Sequence, residues 1–296
     1  MLEKKFPSLL IILAIYIIAF GVGYFVFNLL TWNLLLRFLV ADVAATLIIY
    51  IFSIIFKNAS IYDPYWSVLP MVSIPLFYNY QVQNQFFIIV VIVLALIEVW
   101  GLRLTINWLI HFKNLKTMDW RYVDLKAKHP KIYPLINLLG IQLMPTLIVY
   151  LAMLSPISLL QSLENVTFTH PINLSSILAF VICLFAIVIE LIADIQMTKQ
   201  CKDSPGVLHT GGLWRYSRHP NYLGEILFWF SLYLMLVSVN DKMWVLFVGP
   251  LLLVILFGFV SIPMMEKHLI AKYPEYKDYQ KQTNVLLLGR VKKIEK

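Results

Sequence analysis

The stretch GGLWRYSRHPNYLGEILFWFSLYL, residues 211–234, decides how the chain is read. Two glycines open it, and Arg215, Arg218 and His219 follow within five positions. An apolar run then begins that still contains Asn221 and Glu225. A cation-rich loop leading straight into an apolar segment of helical length reads as a membrane edge followed by a span. Pro220 marks the entry, because the first helical turn needs neither its missing N–H nor a free φ.

The rest of the chain repeats this pattern. It has 296 residues, 60% of them hydrophobic and 14% charged, with a mean hydropathy of +0.78. Soluble domains are typically about 45–50% apolar and about 25% charged. Hydrophobic segments lie near 9–28, 33–56, 66–80, 86–111, 134–155, 174–196, 221–239 and 243–263. Most are close to the roughly 20 residues that cross a ~30 Å hydrocarbon core as helix. The expected fold is all-α, a polytopic transmembrane helical bundle of seven to eight spans. Alternating segments of about ten residues, the mark of a membrane β-barrel, are absent. The first segment follows Lys4 and Lys5 as a signal peptide would, but runs past signal-peptide length with no small-residue cleavage site. It is expected to remain as a helix.

Basic residues sort by side. They stand at Lys4 and Lys5, at Lys57, six times from Lys113 to Lys131, at Lys199, Lys202, Arg215 and Arg218, and eight times after Pro263. The alternate connections, 79–85 and 155–173 among them, are poor in them. With eight spans every rich segment falls on one face, which places both termini in the cytoplasm. The segment at 66–80 is the shortest and carries Pro70 and Pro75, so the charge count is what makes it a span. Orientation and anionic headgroups account for most of the net charge of +8. No basic fold of a nucleic-acid-binding type is present, so nucleic acid is not expected as a partner. Cys183 and Cys201 form neither a disulfide framework nor a CxxC pair, and no metal is expected. With no repeat or soluble module, residues 1–296 read as one integral membrane domain.

Ionisable residues inside spans are costly and mark function by default. Asp42, Glu98, Arg103, Glu190, Asp194 and Glu225 fall in or at the ends of the expected spans. Asp42 stands apart and is expected to pair with Arg37 or polar backbone. Three segments carry polar pairs four residues apart, which share a helix face: Arg103 with Asn107, Glu190 with Asp194, Asn221 with Glu225. Membrane bundles can pack with small residues alone, so this much polar chemistry at one end points to a ligand. Gly211 and Gly212 permit close backbone approach, while Arg215 and Arg218 are planar donors suited to phosphate or carboxylate. The positive end of the following helix dipole also favours an anion.

This C-terminal stretch resembles the signature of the steroid 5-alpha-reductase superfamily. The likeness is to the branch of membrane proteins without assigned activity that is grouped with the 3-oxo-5-alpha-steroid 4-dehydrogenases. YDPYWS (62–67), WGLRLTINW (100–108), DWRY (119–122), IELIADIQ (189–196) and IPMMEKHL (262–269) extend it over most of the chain from residue 62, with a reductase-like region at about 134–296. The resemblance implies an integral membrane, multi-pass oxidoreductase of lipid metabolism. It would use NADPH to reduce a C=C bond conjugated to a carbonyl in a lipid or steroid-like substrate. It places Asn221 and Glu225 at the nicotinamide, with Arg103, Asn107, Glu190, Asp194, Arg215, Tyr216, Arg218, His219, Tyr222 and Glu266 as further cofactor-binding candidates. Asp63 stands in for the family's carbonyl-polarising Glu. Trp100 occupies the family's Tyr position and cannot donate a phenolic proton, so either another donor serves, such as Tyr62 or Tyr65, or the chemistry differs. The catalytic candidates are Asp63 and Tyr65. The alternative is a likeness to the S-adenosylmethionine-dependent membrane methyltransferases of isoprenylcysteine and phospholipids, carried by RHPNYLG. Those enzymes have a later pair of glutamates where this chain reads Met265–Glu266, and the single acid tilts the reading toward NADPH.

Overall fold

The computed structural model describes residues 2–81, 88–164 and 173–289. The connections at 79–85 and 155–173, and the last basic residues of the tail from Arg290 onward, lie wholly or partly outside them.

Among the described residues the regular structure is helical, as expected, with one isolated bridge between Ser217 and Asn284. The helices are α1 (Lys5–Leu29), α2 (Leu34–Ile55), α3 (Tyr65–Gln81), α4 (Ile88–His111), the short α5 (Trp120–Lys128), α6 (Tyr133–Ile136), α7 (Met144–Glu164), α8 (Leu174–Asp203), α9 (Pro220–Val239), α10 (Val248–Ile255), α11 (Ile262–Lys272) and α12 (Tyr276–Gln282). Among the described residues seven helical stretches are long and apolar enough to cross a membrane: Lys5–Leu29, Leu34–Ile55, Val90–His111, Tyr133–Ser162, Leu174–Asp203, Pro220–Val239 and Asp241–Lys272. The eighth expected segment forms helix α3, described as far as Gln81. Outward faces of α1 and α8 carry Leu10, Leu13, Ile17, Val181, Phe185 and Val188, all exposed. Contiguous apolar surface of this kind suits hydrocarbon rather than water.

Two stretches widen to π-helix, Asn137–Leu143 and Leu256–Ser261. Each ends two residues before a proline, Pro145 and Pro263. A proline ring clashes with the carbonyl four residues back, and a wider turn relieves that clash without ending the helix.

The chain divides into two compact units, Met1–Ser73 with Gly101–Tyr150, and Ile74–Trp100 with Leu151–Lys296. Within the first, α1 meets α2 through small residues. A Cβ on Gly23 would lie 3.0 Å from the Ala41 carbonyl, the close backbone approach that membrane helices use in place of a hydrophobic drive. Buried hydroxyls and amides add to this: Thr46 meets Thr146 at 3.0 Å, and Ser53 receives Asn137 and Gln142 at 2.8 and 3.0 Å. In the second unit α8 packs along α9. Gly224 is the notch, since a Cβ there would overlap the Glu190 side chain and sit 2.9 Å from the Ala186 carbonyl.

Candidate functional site

The polar site of the second unit is built on the start of α9. Gly212 turns the chain with φ of 59°, a conformation glycine adopts without strain. The Gln196 side chain then accepts the Leu213 N–H at 2.9 Å and pins the loop to α8. From there the two arginines part ways. Arg215 is exposed, and its guanidinium takes no protein partner among the described residues. Arg218, three residues on, turns inward and is only 7% exposed. Its Nε donates to Glu266 Oε1 at 2.7 Å, and its Nη1 donates to the carbonyls of Gln280 (3.0 Å) and Thr283.

Glu266 collects more donors. His219 Nε2 lies 3.2 Å from Oε1, and the Tyr276 hydroxyl donates to the same oxygen at 3.3 Å. Gln280 donates to Oε2 at 2.7 Å. The segment after α11 is thereby stitched to the loop before α9. Arg218 N–H to Asn284 O (2.9 Å), Ser217 Oγ to Leu286 O (2.7 Å) and Thr283 Oγ1 to Arg215 O (3.2 Å) continue the seam. The His219 ring stacks on Tyr222 at 5.4 Å, and Tyr222 on Phe257 at 4.7 Å. Tyr216 stays exposed at the rim.

One turn into α9 lies Glu225, 4% exposed. Trp229 donates its indole N–H to Oε1 at 2.9 Å and Trp100 donates to Oε2 at 3.1 Å. Trp100 stacks on Phe228 at 4.7 Å, which holds its indole in place. Glu190 is buried against Gly224, and Asp194 lies one turn farther along α8, partly buried. Asn221 is partly exposed, one turn before Glu225 on the same face.

Asp63, Tyr65, Arg103 and Asn107 belong to the first unit. Arg103 is buried and Asn107 partly buried on α4. Asp42 does not pair as expected: its Oδ1 accepts the Tyr65 hydroxyl at 2.8 Å, while Arg37 donates Nε to the Phe27 carbonyl at 3.0 Å. Arg37 and Asp42 are five residues apart, too far round α2 to face one another, and Arg37 serves the turn before it instead. The Tyr62 hydroxyl pairs with Thr146 at 2.8 Å. Tyr122 donates to Asp63 Oδ1 at 2.6 Å. Burial lifts the Asp63 carboxyl to about 6, against the pull of Arg121 and the Tyr122 hydrogen bond.

Several of these residues escaped sequence reading. Trp100 reads as a lost phenol, yet it is an indole donor to Glu225; Trp229, four residues after Glu225, could have been found from spacing alone. Tyr276, Gln280 and Thr283 carry no sequence signal, because only the fold returns the tail to Arg218.

An all-α protein with seven helices able to cross a membrane and a polar site at the head of α9 is the class these features define. The family described as "Protein of unknown function (DUF1295)" matches residues 49–283, and the chain belongs to that family. The match takes in every candidate from Asp63 to Glu266. An uncharacterized protein of Schizosaccharomyces pombe is 30% identical over 254 residues, covering 76% of this chain and 71% of that protein. No solved structure matches the chain.

Proposed function

We propose that the protein is a multi-pass integral membrane reductase that binds NADPH and saturates a C=C bond conjugated to a carbonyl in a lipid or steroid-like substrate. The observation that carries this is Glu225, a buried carboxylate held by two indole N–H groups one turn from the partly exposed Asn221. A nicotinamide carboxamide offers two N–H donors, and Asn221 one turn away adds both a donor and an acceptor. The exposed Arg215, Lys199 and Lys202 supply cations for the phosphates, aided by the N-terminal end of α9. NADPH, when bound, would supply the hydride; the chain supplies position and electrostatics. Asp63 supports the reading from the first unit as a carboxyl that can hold a proton for a carbonyl oxygen. The resemblance to the steroid 5-alpha-reductase superfamily rests on the same Asn221–Glu225 stretch.

Methyl transfer from S-adenosylmethionine would need His219 and Glu266 to orient the donor. Glu266 receives Arg218, His219, Tyr276 and Gln280, an engagement that favours a structural role for it under either reading. The test is cofactor binding to purified, detergent-solubilised protein, followed by nicotinamide fluorescence. Tight NADPH binding that Glu225→Ala weakens, with NADPH oxidation on adding amphipathic enones, is expected. Binding of S-adenosylmethionine without any NADPH response overturns the proposal.

A further inference from the structure

YDPYWS and DWRY are interlocked by the fold. Asn58 Oδ1 accepts the Ser60 N–H at 2.9 Å, and its amide donates to the carbonyls of Leu115 (2.6 Å) and Thr117 (3.1 Å). The loop after α2 is thus clamped to the loop before α5. Ser60 Oγ accepts the Asp119 N–H at 2.8 Å. Asp119 in turn caps α5 by accepting the Arg121 N–H at 2.9 Å, and it grips the Arg121 side chain through Nε (2.8 Å) and Nη2 (3.2 Å). The next residue, Tyr122, is then held with its hydroxyl 2.6 Å from Asp63 Oδ1. Its ring packs with Met118 and Leu125 on a small core of Ala59, Tyr133 and Ile141, which fixes its aim.

We propose that Tyr122 and Arg121 are positioning residues that aim the Asp63 carboxyl and govern its proton exchange. This rests on the reading of Asp63 as the proton donor of the reductase. A hydrogen bond to the charged form and a nearby cation both favour ionisation, while burial opposes it. Arg121 is already shared with Asp119, so its pull on Asp63 is partly spent, and Asp119 itself repels the Asp63 charge. Ser60 adds a weak hydrogen bond from the short helix before Asp63, and Tyr16, Tyr62 and Tyr133 are the remaining titratable groups near it. The balance leaves the carboxyl at about 6. An acid in that range can both lose and regain its proton within a turnover cycle near neutral pH.

The test follows the protonated-carboxyl infrared band of the full chain in detergent, assigned by its loss in Asp63→Asn. A band near 6 is expected in the unaltered protein. Tyr122→Phe and Arg121→Gln should each move the midpoint upward, by roughly 3- to 10-fold in proton affinity. Asp119→Asn, which keeps a capping side chain, should move it downward. A local loss of structure would instead bring every variant back toward the ordinary value of 3.8. That common fall, or a midpoint unmoved by Tyr122→Phe and Arg121→Gln, overturns the proposal. Asp63→Glu, which retains a carboxyl band at a shifted position, supplies the assignment should Asp63→Asn not fold. Absence of NADPH turnover in the unaltered protein defeats the reductase reading while the titration still decides proton exchange. Turnover whose pH profile fails to move with the band in Tyr122→Phe counts against the positioning role alone.

Discussion

Around Glu266 the chain gathers an inward-facing arginine, a histidine, a phenol and an amide, and every donor but the histidine and the phenol approaches within 3 Å. Around Asp63 it places one phenol at 2.6 Å and an arginine already gripped by a second carboxylate. Both are acids beside an arginine. The first has its charge answered from all sides and serves as the knot that ties the tail to the α9 loop. The second receives Tyr122 and feels Arg121 and Ser60, yet burial still lifts its carboxyl to about 6.

The largest expected effect breaks the saturated side. Glu266→Ala or Arg218→Ala leaves a buried charge without its partner, and such losses cost about 3–5 kcal/mol. Thermal unfolding in detergent, with proteolysis of the segment after α11, should report it. Arg215→Ala three residues away should change stability by no more than about 0.5 kcal/mol, since that side chain is exposed. Equal losses from the two arginines would erase the distinction between them.

Next comes Glu225, whose removal should weaken NADPH by roughly 10- to 100-fold, the scale of a charge-assisted hydrogen bond. Trp229→Phe should cost less, about 1 kcal/mol of affinity, because Trp100 still holds the carboxylate. Fluorescence titration measures both. Gly224→Ala tests the α8–α9 notch against Glu190 and should destabilise by about 1–3 kcal/mol, read as a lowered melting temperature.

The smallest effect concerns pH. Because the fold raises the Asp63 carboxyl from 3.8 to about 6, the folded chain favours the neutral acid. That contribution to stability is complete below the unfolded value and is lost as pH rises through about 6. Melting temperatures at pH 5 and pH 7.5 should therefore diverge from those of Asp63→Asn by a few degrees at most, with the unaltered protein relatively weaker at the higher pH, about the scale a single perturbed group can move. A gap that closes rather than opens with rising pH would refute the sign.

Composition and hydrophobic spacing were enough to place the helices long and apolar enough to cross a membrane, because a span must satisfy its backbone internally and so advertises itself as a long apolar run. Segment 66–80 was legible as helix, and it forms α3. Asn221 and Glu225 were legible as neighbours because helical periodicity is a local property. What lay beyond local reading was the fate of each charge. Arg215 and Arg218 look alike in RYSR, yet one faces outward and one is buried, and only the return of residues 276–289 to the α9 loop separates them. Asp42 met Tyr65 rather than Arg37, and Asp63 met Tyr122, for the same reason. The sequence by itself determined that this chain is an all-α protein of apolar helices edged with basic residues. Only the tertiary structure decided which partners each acid meets, since hydrogen-bond partners far apart in sequence are chosen by packing.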